Sequence, residues 1–178
     1  MDNKTLLNYC RSVVRQLELP APYDVNEVCD LIEKRRGRPL SVLPMAIPVY
    51  EGSPSGLWVE TDEGDYILFQ ENTTRAHQEH IVAHEVGHML LDHQSLPSNQ
   101  EEVARLLMPN LDPALVRTVL ARTSYAELEE QQAEVVASLL PIQVGHSQRR
   151  LPSSDVPAGV ANLVIHLERS LARGAGGI

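Results

Sequence analysis

The segment "IVAHEVGHMLLDH", Ile81 to His93, sets His84 and His88 four residues apart, with Glu85 directly after the first histidine. Four residues are close to one helical turn, so on a helix the two imidazoles stand one above the other and can meet a single tetrahedral ion. A carboxylate beside the first histidine can then reach a water at that ion and act as a general base. In a chain with this histidine and glutamate content, H-E-x-x-H arises by accident about 0.02 times if positions are independent. The spacing therefore predicts a Zn²⁺ site with His84 and His88 as ligands and Glu85 as base.

With His84 placed at 0° on a helical wheel, Val82, Val86, Met89 and Leu90 fall between about 140° and 240°. They form a core face opposite the histidines. Gly87, at about −60°, leaves room for another element to come close. His77 and His80 lie upstream on the histidine stripe and read as solvated residues near the site. His93 falls at about 180° if the helix runs through Asp92, which points it away from the metal and argues against it as a ligand.

A catalytic zinc needs a third protein ligand and an open position. The segment "SYAELEEQQAEVVASLLP" carries Glu127, Glu130 and Glu134 as one acidic stripe. Leu128, Val135 and Leu139 mark its expected buried side. Ala133 and Ala137 flank the stripe and are small enough for this helix to press against the histidine helix.

Together, "AHEVGHMLL" and "EEQQAEVVASLLP" resemble the ImmA/IrrE family of zinc metallopeptidases, in the gluzincin group. That family's pattern is H-E-x-G-H-x-x-L, followed by E-x-x-A-N-x-F-A-x-x-L-L and a nearby Pro. The resemblance covers roughly residues 5–141 and implies His84, His88 and Glu130 as zinc ligands with Glu85 as base. Glu134 stands where the family often has Asn. It is either an outer partner for a ligating histidine or the alternative third ligand. This chain also has Val136 in place of Phe, and a long gap from His88 to Glu130.

The resemblance further implies a regulatory protease that cleaves a helix-turn-helix repressor or an antitoxin-like partner. The alternative is a zinc-stabilised binding module that sequesters such a regulator without cutting it. Retention of Glu85 favours catalysis, because a purely structural zinc has no use for a base there. An oxyanion donor is expected as well, and Tyr125 and His146 are the candidates.

These residues must be held by a framework that the 178-residue chain can supply as one domain. Composition is 43% hydrophobic and 22% charged, with aromatics at 4%, so the core should be built of Leu, Val and Ile. A net charge of −9 argues against direct nucleic-acid binding and suits a basic protein partner. With neither a signal-peptide order nor a long apolar run, the expectation is a cytoplasmic protein with no membrane association. Cys10 and Cys29 are too few and too far apart for a thiol metal site and read as reduced core residues.

The expected fold is α+β and zincin-like: helix-rich, with a small, mostly antiparallel sheet packed on the histidine helix. Strands are expected over 40–47, 56–61 and 65–70. Helices are expected over 3–19, over 24–37 with Asp24 as N-cap and Gly37 as stop, and from Thr73 or Thr74 to about Asp92. Further helices are expected over 101–111, 112–123, 124–140 and 156–173. Residues 1–141 would form the metallopeptidase domain. Residues 142–178 would be a linker and C-terminal helix packed on it.

Overall fold

The computed structural model describes residues 2–18, 25–45, 55–60, 64–93, 126–140 and 165. Helix α1 (Asn3–Arg15) starts where the Asp2 carboxylate accepts the backbone N–H groups of Lys4 and Thr5, both at 3.0 Å. It buries Leu6, Cys10, Val13 and Val14. It stops short of the expected residue 19: the Gln16 N–H bonds to the Val13 carbonyl, and Glu18 takes a left-handed φ of 52°. Helix α2 (Val25–Arg36) buries Val25, Val28, Cys29 and Ile32. Gly37 ends it as expected, at a φ of 66° that suits a residue without Cβ. Asp24 lies outside the described residues. Both cysteines are buried, and neither is in a disulfide among the described residues.

Three strands follow: β1 (Leu40–Met45), β2 (Gly56–Glu60) and β3 (Asp65–Gln70). The expectation of a mostly antiparallel sheet is corrected here. The order is β1-β3-β2, with β2 antiparallel to β3 but β1 parallel to it, so the sheet is mixed. Alternating hydrophobicity reports a strand's faces, not its neighbour. The β2–β3 hairpin inserts its second strand, not its first, beside β1. β3 is thus central and all six of its residues are buried, as its apolar run "YILF" would require.

Leu40, Trp58, Ile67 and Phe69 form the sheet face that joins the main core. Against it lies α3 (Arg75–Leu90), which contributes Ile81, Val82, Ala83, Val86, Met89 and Leu90 to the same core. Helix α4 (Glu127–Leu139) packs on the other flank of α3, and α1 packs on α4. The buried side expected for α4 is also revised. Ala133, Val136 and Ala137 are the buried residues, Leu128 is exposed, and Val135 and Leu139 only partly enter the core.

A charged clasp fixes the hairpin to α2. Arg36 Nε donates to Asp65 Oδ2 at 2.7 Å, and its guanidinium stacks 4.9 Å from the Trp58 ring centre. Trp58 Nε1 donates to the other Asp65 oxygen at 3.3 Å, so the buried carboxylate is held from two sides. Among the described residues no helix is long and apolar enough to cross a membrane. The helices expected over 101–111, 112–123 and 156–173 fall outside the described residues, except for Ile165, which is helical.

Candidate metal centre

Thr74 caps α3, its hydroxyl accepting the His77 N–H at 3.3 Å. With the apolar face of α3 committed to the core, its histidine stripe can only turn toward α4. How close the two helices come is set at one point. A Cβ on Gly87 would lie 2.9 Å from the Ala133 carbonyl oxygen and 3.0 Å from its Cα, so only glycine permits this contact. Helix α4 also begins with Glu127, Glu129 and Glu130 in its first turn, where carboxylates oppose the positive end of the helix dipole. Glu134 lies beyond that turn, so the dipole does not account for it.

The crossing brings His84, His88 and Glu130 together, with one ligand atom from each inside a 4.8 Å span. His84 Nε2 and His88 Nε2 face each other at 3.0 Å. Glu130 reaches them from α4, Oε2 at 3.3 Å from His84 Nε2 and Oε1 at 3.9 Å from His88 Nε2. Glu134 takes a different place. Its carboxylate lies behind His84, 3.4 Å from Nδ1, and 3.2 Å from His80 Nε2. Thus Glu130 faces the inner nitrogens while Glu134 backs one ring. His80, expected to be merely solvated, shares that carboxylate.

Glu85 lies in the seam between α3 and β2 and is only 5% exposed. The Trp58 backbone N–H donates to its carboxylate. A Cβ on Gly56 would fall 2.7 Å from Glu85 Oε1 and 2.5 Å from Ile81 Cγ2, so this seam too closes on a glycine. Among the described residues the second oxygen, Oε2, is buried without a hydrogen-bond partner. Burial pushes the carboxyl pKa up to about 8, helped by the Glu130 charge and opposed by the Trp58 N–H. Burial likewise holds His88 down to about 2, with the His84 and His93 rings adding to it. His88 is therefore a neutral imidazole, the form that binds metal.

His93 does not point away from this cluster, contrary to the helical wheel. Helix α3 ends at Leu90, and Asp92 adopts a left-handed φ of 52°. The chain folds back, the His93 N–H bonds to the His88 carbonyl at 3.0 Å, and the two Nδ1 atoms meet at 2.9 Å. On its far side His93 Nε2 lies 3.0 Å from Gln132 Oε1. The wheel assumed regular helix through Asp92, and a single left-handed residue undoes that assumption. Gln132 was not singled out from the sequence; its position next to Ala133, the contact point of the helices, is the only hint. Tyr125 and His146 lie outside the described residues.

The donor set fits a zinc-like divalent cation. Two imidazole nitrogens and one carboxylate converge, and each histidine has a polar partner on its outer nitrogen. Two neutral rings directing Nε2 lone pairs at each other would repel without a cation or a proton between them. Glu85 Oε2, unpartnered among the described residues, is a buried polar atom that a water can satisfy. Compared with protein-family models, curated proteins and solved structures, the chain matches none.

Proposed function

We propose that this chain is a zinc-dependent endopeptidase of the ImmA/IrrE type that cleaves a regulatory protein, a helix-turn-helix repressor or antitoxin-like partner. The observation that carries the reading is the convergence of His84, His88 and Glu130 within 4.8 Å, next to a buried glutamate with an unsatisfied oxygen. The two quoted motifs support the family and the partner class. The net charge of −9 suits a basic regulator.

His84, His88 and Glu130 would hold the ion. When bound, zinc supplies Lewis-acid polarisation of the scissile carbonyl and acidifies a water. Glu85 takes the proton from the attacking water and returns it to the departing amine. Its raised pKa suits that double duty near neutral pH. Among the described residues β2 is an outer strand of the sheet, and its Trp58 amide already touches Glu85. An extended peptide lying along that edge would pass beside the base.

Glu85→Gln tests the proposal, because it keeps shape and removes the base. With a candidate helix-turn-helix regulator co-expressed, the substitution should retain zinc and fold but lower cleavage by at least about a hundredfold. Partner length is read by blot and repression by a reporter. If the regulator stays intact and Glu85→Gln still relieves repression fully, the chain sequesters its partner and the protease reading is lost.

A further inference from the structure

We propose that His93 and Gln132 form a neutral hydrogen-bond relay that sets the tautomer of His88 before any metal arrives. Both would then be positioning residues for the site. The proposal rests on the reading of His88 as a ligand.

Two Nδ1 atoms 2.9 Å apart can be bonded only if one carries a hydrogen and the other a lone pair. Gln132 decides which. Its carbonyl oxygen lies 3.0 Å from His93 Nε2 and can only accept, so His93 carries its hydrogen at Nε2. A neutral His93 then presents a lone pair at Nδ1, and His88 donates to it from Nδ1. The Nε2 lone pair of His88 is left facing His84 and Glu130. His88 is 0% exposed and His93 8%, so both rings of the relay lie out of solvent.

The geometry of the relay is fixed by backbone. His93 is anchored through its N–H to the His88 carbonyl at 3.0 Å. Gln132 precedes Ala133, the residue that touches Gly87, and its own carbonyl accepts the Cys10 thiol at 3.7 Å. Turning the Gln132 amide over would reverse every hydrogen in the chain. His88 would then carry its hydrogen on Nε2, aimed at His84 Nε2, and could not ligate through that atom.

The two histidines therefore have unlike supports. His84 is backed by Glu134, a carboxylate 55% exposed. His88 is backed by the buried His93 and the half-buried Gln132, which orient the ring without adding negative charge beside the proposed ion.

Nitrogen-15 NMR of the histidine rings in the metal-free, full-length protein reads the tautomers directly. His88 should be protonated at Nδ1 and His93 at Nε2; the reverse assignment overturns the relay even if zinc binds tightly. Zinc affinity, measured by chelator competition, supplies a second readout. Gln132→Glu keeps an acceptor and should stay within about threefold of the parent. Gln132→Met keeps the length, removes the acceptor and should bind about 10–100-fold more weakly. Parent-like affinity in Gln132→Met overturns the proposal. Metal-free melting curves check folding, and if Gln132→Met does not fold, the tautomers of the unmodified chain decide. Tautomers as proposed in a protein that takes up no zinc would remove the metal-site reading, and the positioning role with it.

Discussion

Helix α3 is gripped on two flanks, each closed at a glycine, yet the two seams do opposite things. Toward α4, Gly87 lets the helix backbones touch, and the rim of that seam stays open: Glu130 is 45% exposed. Toward β2, Gly56 brings the strand onto Ile81 and Glu85, and the carboxylate is shut in. The candidate ligands thus sit on an open rim, whereas Glu85 sits in a closed seam where burial lifts its pKa. One helix serves both tasks because residues 84 and 85 are about 100° apart around its axis.

If the seams are separable, breaking each should give a different loss. Gly87→Val should have the largest effect. Its side chain meets the Ala133 backbone, which cannot move aside, so the helices must part. We expect about 3 kcal/mol or more of destabilisation and loss of zinc retention, read from the melting temperature and from metal content after dialysis.

Gly56→Ala strains the other seam. The new methyl meets Ile81 Cγ2 and Glu85 Oε1, side-chain atoms that can shift, at about 1–3 kcal/mol. Zinc content should remain near one per chain while cleavage falls. Equal loss of zinc in both glycine variants would show that the two flanks act as one.

Within the α4 seam, Glu130→Gln should weaken zinc binding more than Glu134→Gln does. The first removes a carboxylate from the inner nitrogens; the second removes a partner behind His84. A loss of about 10–100-fold is expected for removing an outer partner, and more for the ligand. The reverse ranking in a chelator titration would move the third ligand to Glu134. His80→Ala should have the smallest effect. His80 is 39% exposed and only shares Glu134, so zinc affinity should change by less than about threefold.

Much of this organisation is local and can be read without a structure. The four-residue spacing of His84 and His88 needs only a helix to become a pair, and Thr74 and Gly37 act through their own turns. The strands are legible for the same reason, since alternation and apolar runs follow from one segment's own faces. The roles of Gly87 and Ala133 were also foreseeable, because small residues facing a histidine stripe leave space for a second helix.

What sequence could not supply are the facts that depend on a partner distant in the chain. Which strand lies beside β1 depends on how a hairpin folds over, and no periodicity encodes that. The buried face of α4 follows from its contact with Gly87, so Ala133, Val136 and Ala137 displace Leu128 from the interior. Glu130 and Glu134 share a face and are alike in type; only the angle of crossing sends one to the inner nitrogens and the other behind a ring. His93 shows the limit most sharply. Its identity and distance from His88 were plain, but one left-handed residue at Asp92 turned it from the far side of a helix to hydrogen-bond distance. Which groups could do chemistry was legible from the chain, because side-chain type and helical period are local properties. Which of them meet was not, because a contact between α3 and α4, distant in the chain, depends on how whole elements pack.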